Sequence, residues 1–426
     1  MTAGSEERPL RVCLDARLDD GEAGGIQQFI VGLAHGLSRI SDGDEEYYFW
    51  TKPGSEGWIR PHLGGACREL PSRPEVPATS RRRGLGAFVP RALERKLFAS
   101  ELTLRLVRVG IPESDGAVEG AGMDVMHFTV QTGFRTALPS LYQPYDLQHV
   151  HFPEFFTPIE RKRREAMYGA LCRAAALVPV MSSWVKDDVV RHYQLEPDKV
   201  RVVPWAPVVR SYPEPSAGDL VRTRERLRLP EAFALYPAHT WGHKNHLRLL
   251  EAVAFLRDQA GLRVPVVCSG TKKEFFGVIS RRLADLGLVD QVQFPGFVST
   301  LELRALYTLA RVLVFPSLFE GGGMPIFEAF SLGVPVASSN ATGLPKQAGD
   351  AALLFDPRDV PAMADALGRL WQDAGLREEL VRRGRARVAP FSWERTARKY
   401  RALYRSVAGR ELGEEDRALL GEPPPT

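Results

Sequence analysis

The chain has 426 residues, 44% hydrophobic and 25% charged, enough to bury more than one core and to form two or three domains of ordinary size. Lys and Arg number 56 against 52 Asp and Glu, and a net charge of +4 gives no broad field for gripping a nucleic-acid backbone, so no nucleic-acid partner is expected. The four cysteines, Cys13, Cys67, Cys172 and Cys268, lie far apart with no CxxC pair, which argues against a disulfide framework or a zinc site and fits a reducing compartment. The N-terminal stretch MTAGSEERPLRV lacks the apolar region of a secretory signal, and the apolar run Ala174–Val185 is too short for a transmembrane helix. A cytoplasmic location is expected.

Taken in chain order, the hydrophobic pattern repeats a strand, turn and helix rhythm. RVCLDARL (11–18) reads as a buried strand, GEAGGIQQ (21–28) as a Gly-rich turn, and Phe29, Ile30, Leu33, Ala34 and Leu37 follow at helical spacing. Gly24 and Gly25 sit between strand and helix, where glycine serves either an ordinary turn or the approach of a phosphate. Residues 51–122 break the rhythm, rich in Gly, Pro and Arg, and no strand is predicted there. MDVMHFT (123–129), ALVPVMSS (176–183) and Val200–Pro204 read as short strands, the second followed by the helix WVKDDVVRHY. Prolines 204, 207, 213 and 215 mark a domain boundary.

Beyond it the rhythm restarts. FALYPA (233–238), VPVVCSG (264–270), VQFPGFV (292–298), RVLVFPS (311–317) and VPVASS (334–339) are predicted strands, with helices HLRLLEAVAFLRD, KEFFGVISRRLADLG and PIFEAFSLG between them. Two such sets predict an α/β protein of two Rossmann-like domains with parallel sheets, with ligands at the carboxyl ends of the strands and a cleft where the domains face. The predicted boundaries are 1–205, 206–390, a helix over 391–410 with Trp393, Ala397, Tyr400 and Tyr404 at helical spacing, and a disordered tail over 411–426.

The segment Phe315–Leu332, FPSLFEGGGMPIFEAFSL, carries the most chemistry. A strand ends at Phe315, three glycines follow Glu320, and Pro325 stands at the predicted first position of a helix. Glycines let a backbone pass close to a ligand, and the free amides of a helix start suit phosphate oxygens. Glu320 in the loop and Glu328 in the predicted first turn cannot serve a phosphate; as acceptors they suit sugar or ribose hydroxyls, or else Glu328 favours the helix dipole while Glu320 is solvated. Lys244, in WGHKNH (241–246), is either a solvated residue at a helix start or the partner of an anionic ligand. Asp42-Gly43-Asp44 matches a DxD pattern but follows a surface helix in an acidic run, so no metal site is expected.

The E-x7-E pair after a strand ending in FPS, with LDARL and GGIQQF near the start, YDLQHVHFPEFF (145–156), WGHKNH, AGDAALLFDP (348–357) and FSWE (391–394), resembles family 4 retaining glycosyltransferases of the GT-B fold, and their bacterial mannosyltransferase-like branch in particular. The resemblance implies that Glu328 binds the nucleotide ribose, that Glu320 with the amides of Gly322, Gly323 and Met324 holds the donor sugar, and that Lys244 meets the diphosphate. It implies that the backbone at Phe297 and Val298 meets the nucleobase, with Gly24 and Gly25 approaching the same diphosphate from the other domain. Three positions depart from the family pattern. His239 and Trp241 stand where an arginine precedes the lysine, Lys346 replaces a glutamate, and Tyr145 stands where the family has a histidine near the reacting centre. His149 and His151 are the candidates to stand in for that histidine.

The resemblance implies a retaining, metal-independent, front-face hexosyltransferase acting from GDP-mannose or a UDP-sugar to the hydroxyl of a sugar, lipid-linked or small-molecule acceptor. It needs no cofactor beyond the donor. A C-terminal helix returning to the N-terminal domain would leave the halves doubly joined and able to close on a ligand. A sugar-nucleotide-binding or membrane-scaffold protein without transfer activity and a nucleotide-sugar epimerase are the rival readings. Residues 81–108, where basic and apolar residues alternate, read either as a peripheral contact with an anionic membrane or as helices packed on the domain, and ERKRRE (160–165) has the same two readings.

Overall fold

The computed structural model describes residues 8–21, 24–71 and 109–422. The basic segment 81–108 lies outside the described residues. One compact unit comprises the chain up to Pro204 together with the segment from Glu394, and Trp205–Trp393 form the other.

In the first unit β1 (Leu10–Asp15) leads into helix α1 (Gly25–Leu37), then β2 (Glu45–Thr51), β3 (Cys67–Pro71), β4 (Val125–Phe128) and β5 (Ser140–Tyr142). Helix α2 (Pro158–Ala174), β6 (Val178–Val180), α3 (Ser183–Tyr193) and β7 (Val200–Val202) complete its N-terminal stretch. The strands form a parallel sheet in the order β3-β2-β1-β4-β5, continued through a bridge between Leu141 and Leu177 toward the parallel pair β6-β7. Parallel strands are covered on both faces, which is why β1 and β4 are buried almost throughout, without alternation. The stretch 51–122, read as strandless, holds β3 at the sheet edge. Its sequence, CRELP, carries charge because an edge strand is half solvated, and the apolar signal is lost with it. The stretch ERKRRE lies in α2, whose apolar face packs on the unit while Arg161 and Arg163 stay exposed. A Thr157–Glu160 capping box starts the helix, and it buries Ile159, Tyr168, Leu171 and Cys172.

The second unit runs α4 (Ala217–Leu227), β8 (Ala234–Pro237), α5 (His246–Ala260), β9 (Val266–Ser269), α6 (Phe276–Asp285), β10 (Val292–Gly296), α7 (Thr300–Leu309), β11 (Val312–Phe315), α8 (Met324–Leu332), β12 (Val336–Ser339), α9 (Leu344–Ala348), β13 (Ala352–Phe355), α10 (Val360–Gln372) and α11 (Ala374–Val388). Its six strands are parallel in the order β10-β9-β8-β11-β12-β13. Counted from β8 this is the doubly wound 3-2-1-4-5-6 order. The chain reverses its direction of travel across the sheet between β8 and β11, and ligands of such sheets bind beyond the strand ends at that switch point.

The last helices among the described residues are α12 (Trp393–Val407) and α13 (Glu414–Gly421). Helix α12 packs on the first unit. The Tyr404 hydroxyl is 2.8 Å from Nδ1 of buried His127, and the Tyr400 hydroxyl donates to Gln143 Oε1 at 2.7 Å. Arg401, 2% exposed, reaches Asp42 at 2.8 Å and Glu415 at 3.2 Å, so Asp42 of the DxD-like triplet is an ion-pair partner of α12. The predicted disordered tail needs correction, because residues 414–421 form α13. Asp416 and Leu419 are buried there, and Asp416 pairs with Arg405 at 2.8 Å. Glu415 and Asp416 of the acidic start EED meet the arginine row of α12, a tertiary reward that composition alone does not disclose. Among the described residues no helix is long and apolar enough to cross a membrane.

Candidate active site

At the switch point of the second unit, the loop after β8 and the loop after β11 meet. Lys244 Nζ donates to Glu320 Oε1 at 2.6 Å, with the two side chains 18% and 12% exposed. These residues are 76 positions apart, and the sheet order alone brings them together. The supporting backbone is tied down at each end. The Tyr236 hydroxyl, at the end of β8, donates to the Lys244 carbonyl at 2.7 Å, and the Leu318 amide donates to the His243 carbonyl at 2.8 Å. Asn245 takes a left-handed conformation, φ 61°, which Asn tolerates better than most residues. Its Nδ2 donates to the Pro316 and Pro357 carbonyls at 2.9 and 2.7 Å, holding three loops together. The WGHKNH stretch is thus less cationic than it reads. Asn245 is a clamp, and His246 is buried against Tyr236 and Phe294, its pKa pushed down to about 3 by burial with Lys244 adding to the effect.

Glu320 is anchored through its own backbone. Its amide donates to Thr342 Oγ1 at 3.2 Å, and that hydroxyl donates to the Glu320 carbonyl at 2.6 Å. Gly323 packs so closely that a Cβ there would lie 2.8 Å from Leu344 Cδ2 and 3.1 Å from Phe315 Cε1. Its amide, expected to face a ligand, is taken. Gln347 Oε1 accepts it at 2.6 Å, and Gln347 Nε2 donates back to the Gly323 carbonyl at 2.9 Å. The amides of Gly322 and Met324 are what remains of the predicted cradle.

Glu328 falls in the second turn of α8, not the first, because the helix begins at Met324 and Pro325 takes its second position. It is 1% exposed. Oε2 accepts from the Tyr307 hydroxyl at 2.6 Å, and Oε1 is buried with no hydrogen-bond partner among the described residues. Burial pushes its pKa up to about 7, against the lowering effect of the Tyr307 bond. His239 accepts the Thr271 amide on Nδ1 at 2.9 Å, and its pKa is pushed down to about 4, by burial first and then by Lys244 and Lys273. It is a neutral acceptor at pH 7. Phe297 is exposed and Val298 buried just past β10, at the outer edge of the sheet.

The remaining predicted residues belong to the first unit. Gly24, φ 48°, precedes α1 with no side-chain cap, Gly25 is its first residue, and a Cβ on Gly25 would meet nothing within 4 Å. His149 is buried in a helical turn, Gln148–His151, with Nε2 3.2 Å from Glu165 Oε2, a carboxylate shared with His192 at 3.0 Å. His151 pairs with Asp188 at 2.9 Å. Tyr145 holds φ 68° and donates its hydroxyl to the Thr129 carbonyl. Motif reading missed Gln347, Tyr307 and Thr342, none of which carries a spacing signal; each is recognisable only by what it touches.

Two parallel, doubly wound units, the second with a lysine–carboxylate pair and a glycine turn at its switch point, define a glycosyltransferase of the GT-B class. Residues 220–387 match the family model described as glycosyl transferases group 1. The chain is 30% identical over 268 residues to O-antigen chain mannosyltransferase B of Escherichia coli, covering 60% of this chain and 70% of that protein. It is 32% identical over 245 residues to the MMP alpha-(1->4)-mannosyltransferase of Mycolicibacterium hassiacum, covering 56% of each. In fold it resembles Anabaena Alr3699/HepE, solved in complex with UDP and glucose, with a TM-score of 0.68, 16% identity and coverage of 93% of this chain and 100% of that one. The chain belongs to the group 1 glycosyltransferases.

Proposed function

We propose that the protein is a retaining hexosyltransferase that takes its sugar from a nucleotide-diphosphate donor, GDP-mannose or a UDP-sugar, and passes it to an acceptor hydroxyl. The observation that carries this reading is the Lys244–Glu320 pair at the switch point, a cation and an acceptor carboxylate where a doubly wound sheet binds nucleotides. The names of the relatives in Escherichia coli and Mycolicibacterium hassiacum favour mannose as the sugar, while the UDP in the HepE structure keeps both bases in play.

On this reading Glu320 accepts from hydroxyls of the donor sugar. Lys244 and the amides of Gly322 and Met324 meet the diphosphate oxygens, and Glu328 offers Oε1 to the ribose diol. The bond between the sugar C1 and the diphosphate oxygen breaks with its electron pair leaving on the phosphate. The acceptor oxygen bonds to C1 on the same face, and its proton passes to the departing diphosphate. The protein's part is to orient the groups and to neutralise the charge that develops on the leaving group. His149 already has a carboxylate partner, so no proton transfer is assigned to it.

The test is release of nucleoside diphosphate from a panel of GDP- and UDP-sugars with simple glycoside acceptors, followed by the anomeric configuration of the product by NMR. Release from one donor with retained configuration supports the reading. Absence of release and of binding for every donor, or an inverted product, overturns it.

A further inference from the structure

The paired loops after β8 and β9 hold a cation that no motif singled out. Gly270 follows β9 with φ 135°, and a Cβ there would sit 2.5 Å from the Ala238 carbonyl oxygen, so the two loops leave the sheet in backbone contact. They are then stitched together by two side chains and one amide of the first loop. His239 Nδ1 accepts the Thr271 amide at 2.9 Å, the Thr240 amide donates to the Thr271 carbonyl at 3.3 Å, and Thr240 Oγ1 accepts the Lys273 amide at 2.7 Å. This stitching fixes the backbone of Lys273 against the loop that carries Lys244, with Nζ 5.7 Å from the centroid of the Trp241 ring.

Charge accounting gives the lysine its role. Lys244 is matched by Glu320, so the pair contributes no net charge. His239 is neutral, held as an acceptor by a backbone amide. A nucleoside diphosphate brings two to three negative charges. Among the described residues Lys273 has no carboxylate at ion-pair distance, and its backbone is bonded to the loop that carries both His239 and Lys244.

We infer that Lys273 supplies the uncompensated positive charge that holds the diphosphate of the donor, a role resting on the nucleotide-sugar reading above. Its ammonium lies over the Trp241 ring, which limits the freedom lost when it engages an anion. Thr240 is a positioning residue, acting through the backbone of residue 273.

The test is titration calorimetry with GDP and UDP, and with guanosine and uridine, at low and high salt, on the wild type, K273M, K273R, T240V and the neighbouring K272M. For whichever diphosphate the wild type binds, K273M weakens binding by about tenfold and flattens its salt dependence, K273R restores most of it, and T240V gives a smaller loss. The nucleosides bind K273M and wild type alike, and K272M matches wild type. Binding of the diphosphate by K273M within about twofold of wild type, with the same salt dependence, overturns the inference while the nucleotide-sugar reading stands. Equal weakening of nucleoside and diphosphate also overturns it, since the lysine would then act on the fold of the site. A wild type that binds neither diphosphate removes the reading and the inference together.

Discussion

Gln347 grips Gly323 by both of its backbone polar groups, accepting the amide at 2.6 Å and donating to the carbonyl at 2.9 Å. A primary amide side chain is the one group that can offer a donor and an acceptor in this fork, so it closes on the glycine turn as a neighbouring strand would. The far side is braced in turn, since Arg387 donates to the Lys346 and Gln347 carbonyls.

Q347A therefore frees the turn at the start of α8. Each lost bond is worth about 1 kcal/mol, so the fold survives while the donor KM rises about five- to tenfold. Q347E keeps the acceptor for the amide but loses the donor and brings a negative charge, and it raises KM further. Steady-state kinetics with the donor varied check this, and equal KM values for Q347A and wild type would show that the turn needs no clasp.

The Lys244–Glu320 pair is partly sheltered from water, and removing one member leaves the other uncompensated. K244M and E320Q are each expected to lower transfer by at least about a hundredfold while circular dichroism and melting stay near wild type. The double variant K244M/E320Q falls no further than the worse single, because the two act as a unit. A double variant whose loss equals the product of the single losses would contradict this coupling.

Glu328 gives a pH signature with a definite sign. Burial raises its folded pKa to about 7, above the ordinary glutamate value of 4.5, so between these values the folded state holds a proton that the unfolded chain has released. Stability from this group falls as pH rises through that window and is level above it, a total of about 3 kcal/mol. E328Q, which keeps a neutral acceptor for Tyr307, removes the slope and is more stable than wild type at pH 8. Urea melts at pH 5 and pH 8 measure it. On the ribose reading, hydroxyls donated to Oε1 favour the ionised carboxylate, so nucleotide binding at pH 7 releases a fraction of a proton, visible as a buffer-dependent enthalpy.

Truncation after Leu412 removes α13, and with it the Asp416 partner of Arg405, the Glu415 partner of Arg398 and Arg401, and the buried Leu419. The near-fully buried Arg401 is then left with Asp42 alone. The expected outcome is a melting temperature lower by several degrees, with nucleotide binding by Trp205–Trp393 unchanged. An unaltered melting curve would mean that α13 adds nothing to the core.

What the sequence discloses follows from how its signals arise. Parallel strands buried on both faces are apolar runs, so β1, β4, β8, β9, β11 and β12 stand out, and Lys244, Glu320 and Glu328 stand out with them because they follow such strands at fixed spacing. Edge strand β3 and the polar helix α13 hide because their burial depends on partners far along the chain, such as β2 and Arg405. Gln347, Tyr307 and Thr342 hide for the same reason, being ordinary residues whose roles arise from one tertiary approach each. The cationic look of WGHKNH misleads because Asn245 and His246 are turned inward, where geometry and desolvation outweigh residue type.

Because α12 closes the first unit, the order of synthesis is not the order of completion. Tyr400 and Tyr404 cover His127, Phe29 and Tyr47, and their helix is translated only after the whole of the second unit. At about 5–20 residues per second, the roughly 200 residues between Pro204 and Val407 keep the nascent first unit open for about 10–40 s. During that interval this aromatic face is bare, while Trp205–Trp393 can complete its own core. The first unit to begin is the last to finish, and the nascent chain presents chaperones with a sticky, half-built sheet until its last helices emerge.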